Sequence, residues 1–297
     1  MFKGVKIEVN HIKKIIIPII IFVAIIIGLI WEDNSLAITN IRYSNSKIPD
    51  EFNGYKIVQI SDLHGKEFGK NQNRLISKIE KCNPDIIVIT GDLVDARIDS
   101  LDTSMEFVNR AIKIAPVYYV AGNHEASSGK YNEVKQKLIE ANVIVLDNAE
   151  AKITKNGQSI SIFGVLDPYF YNNNITNFYY YHEDSNDAIQ ENSILKGLVS
   201  DDNSFKILLS HRPELMDVYA ENGIDLVFAG HAHGGQIRIP FVGAIVAPNQ
   251  GFFPKYTSGA NVQDNITMVV SRGLGNSRFP LRVFNRPEIV VVELERN

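Results

Sequence analysis

The chain of 297 residues has a single cysteine, Cys82, so no disulfide can form within it. That absence says little about compartment, because proteins without disulfides occur on either side of a membrane. A basic surplus is missing too. Thirty Lys and Arg stand against 34 Asp and Glu, a net charge of −4, which gives no sign of a nucleic-acid partner. No internal repeat or low-complexity stretch is visible. Hydrophobic (45%) and charged (22%) residues are in ordinary globular proportion. The length allows a substantial core, in one large domain or two small ones. Histidine is scarce, with 7 in all, and their positions become decisive below.

A long uncharged run occurs at the N-terminus. Ile15 to Ile30 is apolar throughout and is preceded by Lys3, Lys6, Lys13 and Lys14. It falls slightly short of the roughly 20 residues that span a bilayer, and Ile12 and Trp31 as interfacial ends bring it close. Pro18 stands in the first turn of the run, where proline is best tolerated. The expected organisation is a basic cytoplasmic N-terminus (1–14), a transmembrane anchor (15–31) and one domain (32–297). The positive-inside rule puts that domain on the extracytoplasmic side of the cell membrane. The rival is a cleaved signal peptide and a secreted domain, since Ser35-Leu36-Ala37 offers a small-residue cleavage site. Cutting there would trim the alternating run from Leu36 to Tyr43, so the anchor is the expectation.

Beyond the anchor, strand-like runs alternate with helical periodicity. Strands are predicted at 37–43, 55–60, 85–90, 117–121, 143–146, 205–209, 226–229, 266–270 and 289–294, with a hairpin around Asn156-Gly157. Helices are predicted at 71–81, 103–114 and 131–141, with another opening at Pro213 and stopping before Gly223. Residues 168–204, rich in Asn, Asp and Tyr, read as a surface excursion with one short helix. Residues 237–259 read as mostly irregular. Strands alternating with helices predict an α/β domain, and the later strands, with few helices, predict a second sheet packed on the first.

Five of these strands end in polar residues: Asp62 and His64, Asp92, Asn123 and His124, His211, and His231 and His233. In α/β sheets ligands gather at the carboxyl ends of strands. Taken singly, each residue has an ordinary explanation, such as a turn cap or a left-handed turn position. Recurrence at five strand ends is the signal. Five of the 7 His lie there; His11, beside the anchor, and His182, in the Asn-rich excursion, read as solvated. The donors are oxygen or imidazole, the set for Mn, Fe, Zn or Co. Eight candidates suit two metals sharing a bridging carboxylate.

The ordered series Asp62-Leu63-His64, Gly91-Asp92, Gly122-Asn123-His124-Glu125, His211 and Gly230-His231-Ala232-His233 resembles the calcineurin-like metallophosphoesterases. The resemblance runs from about Leu36 to the C-terminus. Gly234-Gly235-Gln236, Pro248-Asn249-Gln250-Gly251 and Ser271-Arg272-Gly273-Leu274-Gly275 are similar to a bacterial membrane-associated or exported subgroup, which includes enzymes acting on lipid-linked pyrophosphates. The resemblance implies a four-layer α/β/β/α sandwich preceded by the transmembrane helix. It implies one divalent ion held by Asp62, His64, Asp92 and His233, and a second by Asp92, Asn123, His211 and His231, with Asp92 bridging. His124, not a ligand in the family, would give a hydrogen bond or proton to the phosphoryl or leaving oxygen, and Glu125 would orient its neighbours. Such ions, about 3.5–4 Å apart, share a hydroxide that can attack phosphorus near neutral pH.

Two features bear on substrate. From Arg238 to Pro287 there are six basic residues (Arg238, Lys255, Arg272, Arg278, Arg282, Arg286) and one acidic residue, Asp264. This segment either binds an anion or is an ordinary solvated face. The apolar residues from Phe241 to Ala247, with Phe252 and Phe253, either line an acyl groove, touch the membrane or form hairpin core. About six residues from Trp31 to the first strand span roughly 20 Å at most, so the site is held near the membrane. A lipid-borne phosphodiester or pyrophosphate is the expected substrate. The rivals are a soluble or cell-wall phosphoester hydrolysed by a broad-specificity enzyme, and a non-catalytic, membrane-anchored metal-binding protein. A nuclease is disfavoured by the acidic balance and the lack of an aromatic-basic groove.

Overall fold

The apolar N-terminal run forms one helix, α1 (Val9–Asn34), in the computed structural model, which describes residues 9–171, 186–276 and 279–297. His182 and Arg278 lie outside the described residues. The stretch Lys13–Asn34 is long and apolar enough to cross a membrane by length and composition, about 33 Å at a rise of 1.5 Å per residue. The helix extends beyond the predicted run at both ends. Pro18 therefore falls in its interior, where it has no N–H for the carbonyl of Lys14. Only Ser35 and Leu36 separate α1 from the first strand.

The first half of the domain carries β1 (Ala37–Ser44), β2 (Lys56–Ile60), α2 (Asn73–Cys82), β3 (Ile86–Thr90), α3 (Asp102–Ala111) and β4 (Val117–Val120). It continues through α4 (Asn123–Ser127), α5 (Tyr131–Glu140), β5 (Ile144–Val145) and the hairpin β6 (Ala149–Lys155)–β7 (Gln158–Gly164). The second half carries α6 (Asn186–Leu198), β8 (Lys206–Leu209), α7 (Met216–Glu221) and β9 (Leu226–Ala229). Two small hairpins follow, β10 (Arg238–Ile239) with β11 (Gly243–Ala244) and β12 (Val246–Ala247) with β13 (Gly251–Phe252). The chain closes with β14 (Gly259–Gln263), β15 (Ile266–Val270) and β16 (Glu288–Glu295).

Two sheets result, in the orders β1-β16-β2-β3-β4-β5 and β14-β15-β9-β8-β7-β6. Their central strands are buried on both faces, which calls for continuous apolar runs rather than alternation with polar residues. Successive residues of β3 divide accordingly. Ile86 and Val88 face the second sheet, packed with Ile160, Ile207 and Phe228, while Ile87 and Ile89 pack with Leu75, Phe107 and Leu138 of the helices outside. The second sheet's outer face, with Leu208 and Val227, is covered by Leu195 of α6 and Met216 and Tyr219 of α7. Three cores separate four layers, α/β/β/α.

Three expectations need correction. The last strand does not join the second sheet: β16 lies inside the first, parallel to β1 and antiparallel to β2. Its alternate residues, Ile289 and Val291 against Val290, Val292 and Leu294, enter two different cores, which requires an interior position. The 168–204 segment is more than a surface excursion, since α6 buries Ala188, Glu191 and Leu195 as part of the outer layer. The irregular 237–259 segment contains the two small hairpins.

The pairing fixes where α1 arrives. β2, β3, β4 and β5 run parallel, and β1 runs against them. β1 therefore starts at the end of the sheet where β2, β3 and β4 finish, and α1 reaches the domain from that end.

Candidate metal centre

Every residue singled out at a strand end lies at this same end of the two sheets. Asp62 and His64 follow β2, Asp92 follows β3, Asn123 and His124 open α4 after β4, His211 follows β8, and His231 and His233 follow β9. Five of them, Asp62, His64, Asp92, His231 and His233, have left-handed backbones, with φ between 48° and 63°. That conformation costs a non-glycine residue about 1–2 kcal/mol, and such strain clusters where function over-determines the geometry. The turns are also packed too tightly for side chains. A Cβ on Gly122 would stand 2.3 Å from Asp92 Oδ1, and one on Gly91 would stand 2.5 Å from His211 Nδ1.

Asp62, His64, Asp92 and His233 are all buried and bring one ligand atom each within 4.8 Å of the others. His233 Nε2 lies 3.2 Å from Asp62 Oδ1, His64 Nε2 lies 3.6 Å from Asp92 Oδ2, and the two Nε2 atoms are 3.1 Å apart. His211 Nε2 approaches the same Asp92 Oδ2 at 3.3 Å and Asn123 Oδ1 at 3.2 Å. Asp92 is therefore common to both groups. His231 packs its ring 5.0 Å from that of His211, and its Nε2 faces Asn249 Oδ1 (3.0 Å) and Arg212 Nη1 (3.2 Å). His124 packs edge-on against His64, with ring centres 4.4 Å apart.

The surrounding shell fixes these groups. His211 Nδ1 donates to Thr90 O (2.8 Å), leaving Nε2 and its lone pair toward Asp92 in the neutral ring. Asp62 accepts from Ser61 Oγ (2.6 Å) and from the His231 amide (3.1 Å). Asp92 Oδ1 accepts from the His124 amide (2.8 Å). Glu125, fully buried, accepts from the amides of Asp92, Val94 and Gly122, tying the ends of β3 and β4 together. His124 Nδ1 accepts from the Ala96 amide (3.2 Å), so a neutral ring carries its proton on Nε2.

Burial and mutual charge set the protonation states. Burial raises Asp62 to about 6 and lowers His64 to about 3. Burial alone would raise Asp92, but the His211 and His124 imidazoles outweigh it and hold the carboxyl well below its ordinary range. His211 is the converse: burial opposes its charge, the Asp92 carboxylate prevails, and the ring rises to about 10. Burial holds His231 and His233 well below the usual imidazole value.

This donor set fits divalent cations. The buried carboxylates of Asp62 and Asp92 face His64 and His233, imidazoles that burial keeps from charging, and buried charges are stable when paired or bound to metal. His64 Nδ1 and His233 Nδ1 are buried with no hydrogen-bond partner among the described residues, so the polar contacts of both rings run through Nε2, toward the carboxylates. Beside the cluster is a cavity of about 530 Å³, with Asp92, Asn123, His124 and Arg212 at its polar side and Ile237, Val246 and Phe279 among its apolar lining.

Arg212 was missed in the sequence. Fully buried, it makes two bonds to Asp167 (2.5 and 2.9 Å), a 3.4 Å contact with Glu214 and the contact with His231. Its place directly after His211 is the signal that was available. The basic segment is largely structural. Arg282 is buried and donates to the carbonyls of Arg272, Gly275 and Asn285, Arg272 pairs with Glu288, and Arg286 stacks over Trp31.

Comparison with known proteins agrees with this geometry. The family model for calcineurin-like phosphoesterase matches residues 55–235, more than half of the chain. The metallophosphoesterase YkuE of Bacillus subtilis is 28% identical over 272 residues, covering 89% of this chain and 87% of YkuE. The phosphodiesterase YaeI of Escherichia coli is 26% identical over 265 residues, covering 86% of this chain and 87% of YaeI. A Danio rerio transmembrane protein with metallophosphoesterase domain is 25% identical over 96% of this chain, which spans 63% of that longer protein.

Proposed function

Because the chain belongs to the calcineurin-like phosphoesterase family, and is therefore a metal-dependent phosphoric ester hydrolase, we propose that it cleaves a phosphodiester or pyrophosphate bond at a two-metal centre, in a lipid-linked or cell-envelope substrate. The observation that carries the reading is the approach of two ligand groups to the one Asp92 carboxylate. Asp62, His64, Asp92 and His233 would hold one ion, and Asp92, Asn123, His211 and His231 the other, drawn from Mn, Fe, Zn or Co. When bound, the ions supply an activated water and neutralise phosphoryl charge.

The remaining steps belong to side chains. With Nδ1 engaged by the Ala96 amide, His124 offers Nε2–H to the phosphoryl or leaving oxygen, help worth about 10²–10⁴ in rate. Glu125 keeps the Asp92 and Asn123 turns in register through its three amide bonds. Ile237, Val246 and Phe279 give the cavity an apolar side suited to a lipid portion. The relative YaeI is a phosphodiesterase, which favours a diester over a monoester.

The membrane reading has its own support. The end of α1 is clamped at the site end of the domain: Lys66 Nζ reaches Asp33 Oδ2 at 2.9 Å, and the Asn285 amide donates to Glu32 Oε1 at 2.7 Å. Cleavage after Ala37 would discard these contacts, so they favour a retained anchor. By the positive-inside rule the domain then stands on the extracytoplasmic side. The test compares hydrolysis of a lipid-linked pyrophosphate with that of a soluble aryl phosphodiester. Faster turnover of the lipid is expected; equal or better turnover of the soluble ester counts against the lipid substrate.

A further inference from the structure

The domain leaves a group of phenylalanines in the open at the end where α1 arrives, and hydrolysis makes no use of them. Phe241, at the turn between β10 and β11, is fully exposed, and it shares a surface hollow with Pro240, Val242 and Phe284. Phe253, just after β13, is 72% exposed. All three phenylalanines have left-handed backbones, with φ of 69° at Phe241, 53° at Phe253 and 51° at Phe284. That conformation is unfavourable for bulky side chains. Here it presents rings to the outside instead of packing them, and contiguous exposed apolar surface of this kind marks an interaction site.

The patch is continuous with the end of the apolar helix. Asn276 Nδ2 donates to Asp33 Oδ1 (2.6 Å), and the Arg286 guanidinium lies 5.0 Å from the Trp31 ring centre. The β10 turn is tied to the same segment through the Arg238 amide and Val283 O (2.9 Å) and the Ile237–Val283 bridge. Trp31 and Arg286 form the pair expected at headgroup level, an amphipathic ring with a cation beside it. Phe279 lines the metal-centre cavity and is itself 44% exposed, so it lies between that cavity and the open surface.

We propose that the 240–242 turn, with Phe284 and Phe253, inserts into the interfacial layer of the phospholipid bilayer that α1 crosses. This second contact turns the mouth of the cavity toward the lipid surface. The proposal rests on the anchor reading above and is independent of which substrate is hydrolysed.

The test uses the full chain in phospholipid vesicles, with its single tryptophan removed by Trp31→Phe. Phe241→Trp and Phe284→Trp serve as two independent reporters. Ile139→Trp is the control: it lies exposed near the end of α5, which returns between the parallel strands β4 and β5 to the end opposite the metal ligands. In vesicles both reporters should emit further to the blue than the control, and acyl chains carrying bromine should take away most of that emission while leaving the control unchanged. Reporters as insensitive to bromine as Ile139→Trp would overturn the proposal. So would a blue shift that follows protein density and ignores bromine, which would assign the patch to a second copy of the chain. Hydrolysis of a soluble aryl phosphodiester in the same vesicles reads the phosphoesterase activity separately, so loss of either reading is recognised by itself.

Discussion

Glu191 should make the domain less stable as pH rises, and Glu191→Gln should remove that dependence. The side chain lies on α6, 1% exposed, and among the described residues neither carboxyl oxygen has a hydrogen-bond partner. Burial first, and the neighbouring Asp167 charge second, raise its pKa well above the ordinary glutamate value, with Arg212 opposing only in part. The folded chain therefore keeps the proton over a range where the unfolded chain has lost it. For an acid raised in the folded state, the contribution is fully present below the unfolded pKa and is lost as pH climbs toward the folded value. The slope in that window is about 1.4 kcal/mol per pH unit. Glutamine has nearly the same shape and no proton to lose. The variant should match the parent below the ordinary glutamate range and become the more stable of the two as pH rises above it. At about 2–4 °C per kcal/mol for a domain of this size, thermal melting of the detergent-solubilised chain across pH resolves the difference. Melting profiles of parent and variant that stay parallel from pH 4.5 to 7.5 would mean that Glu191 does not keep its proton in the folded chain.

Two further outcomes bear on the site. His124→Ala should lower the turnover number by about 10²–10⁴ while elemental analysis finds the same metal content as the parent; loss of metal with the rate would make His124 a ligand or a structural support instead. Gly122→Ala should lose metal and activity together, because the added methyl would stand 2.3 Å from Asp92 Oδ1. Full metal occupancy in that variant would mean that the turn relaxes without moving the carboxylate.

The candidate ligands were legible because each stands at the end of an apolar run, and the α/β rule brings such ends together. The left-handed turns at Asp62, His64, Asp92, His231 and His233 were not, since none of these residues is glycine and their conformation is imposed by the packed sheets. β16 was recognisable as a strand, but its place between β1 and β2 depends on pairing between the two ends of the chain. The helix α6 was underestimated because one of its buried positions is Glu191, which weakens the apolar periodicity. Charge counting could not distinguish Arg282, buried among carbonyls, from a solvated arginine. Likewise, the apolar stretch containing Phe241 reads equally as groove, membrane contact or hairpin core until its backbone is known.

If Asp92 joins two metal sites, the metal stoichiometry of the purified full chain will show it. Elemental analysis of the parent loaded with Mn, Fe, Zn or Co should find two ions per chain, and Asp92→Asn should lose both together with hydrolysis. A parent that saturates at one ion, or an Asp92→Asn variant that keeps two ions and full activity, would mean that Asp92 does not bridge two metals.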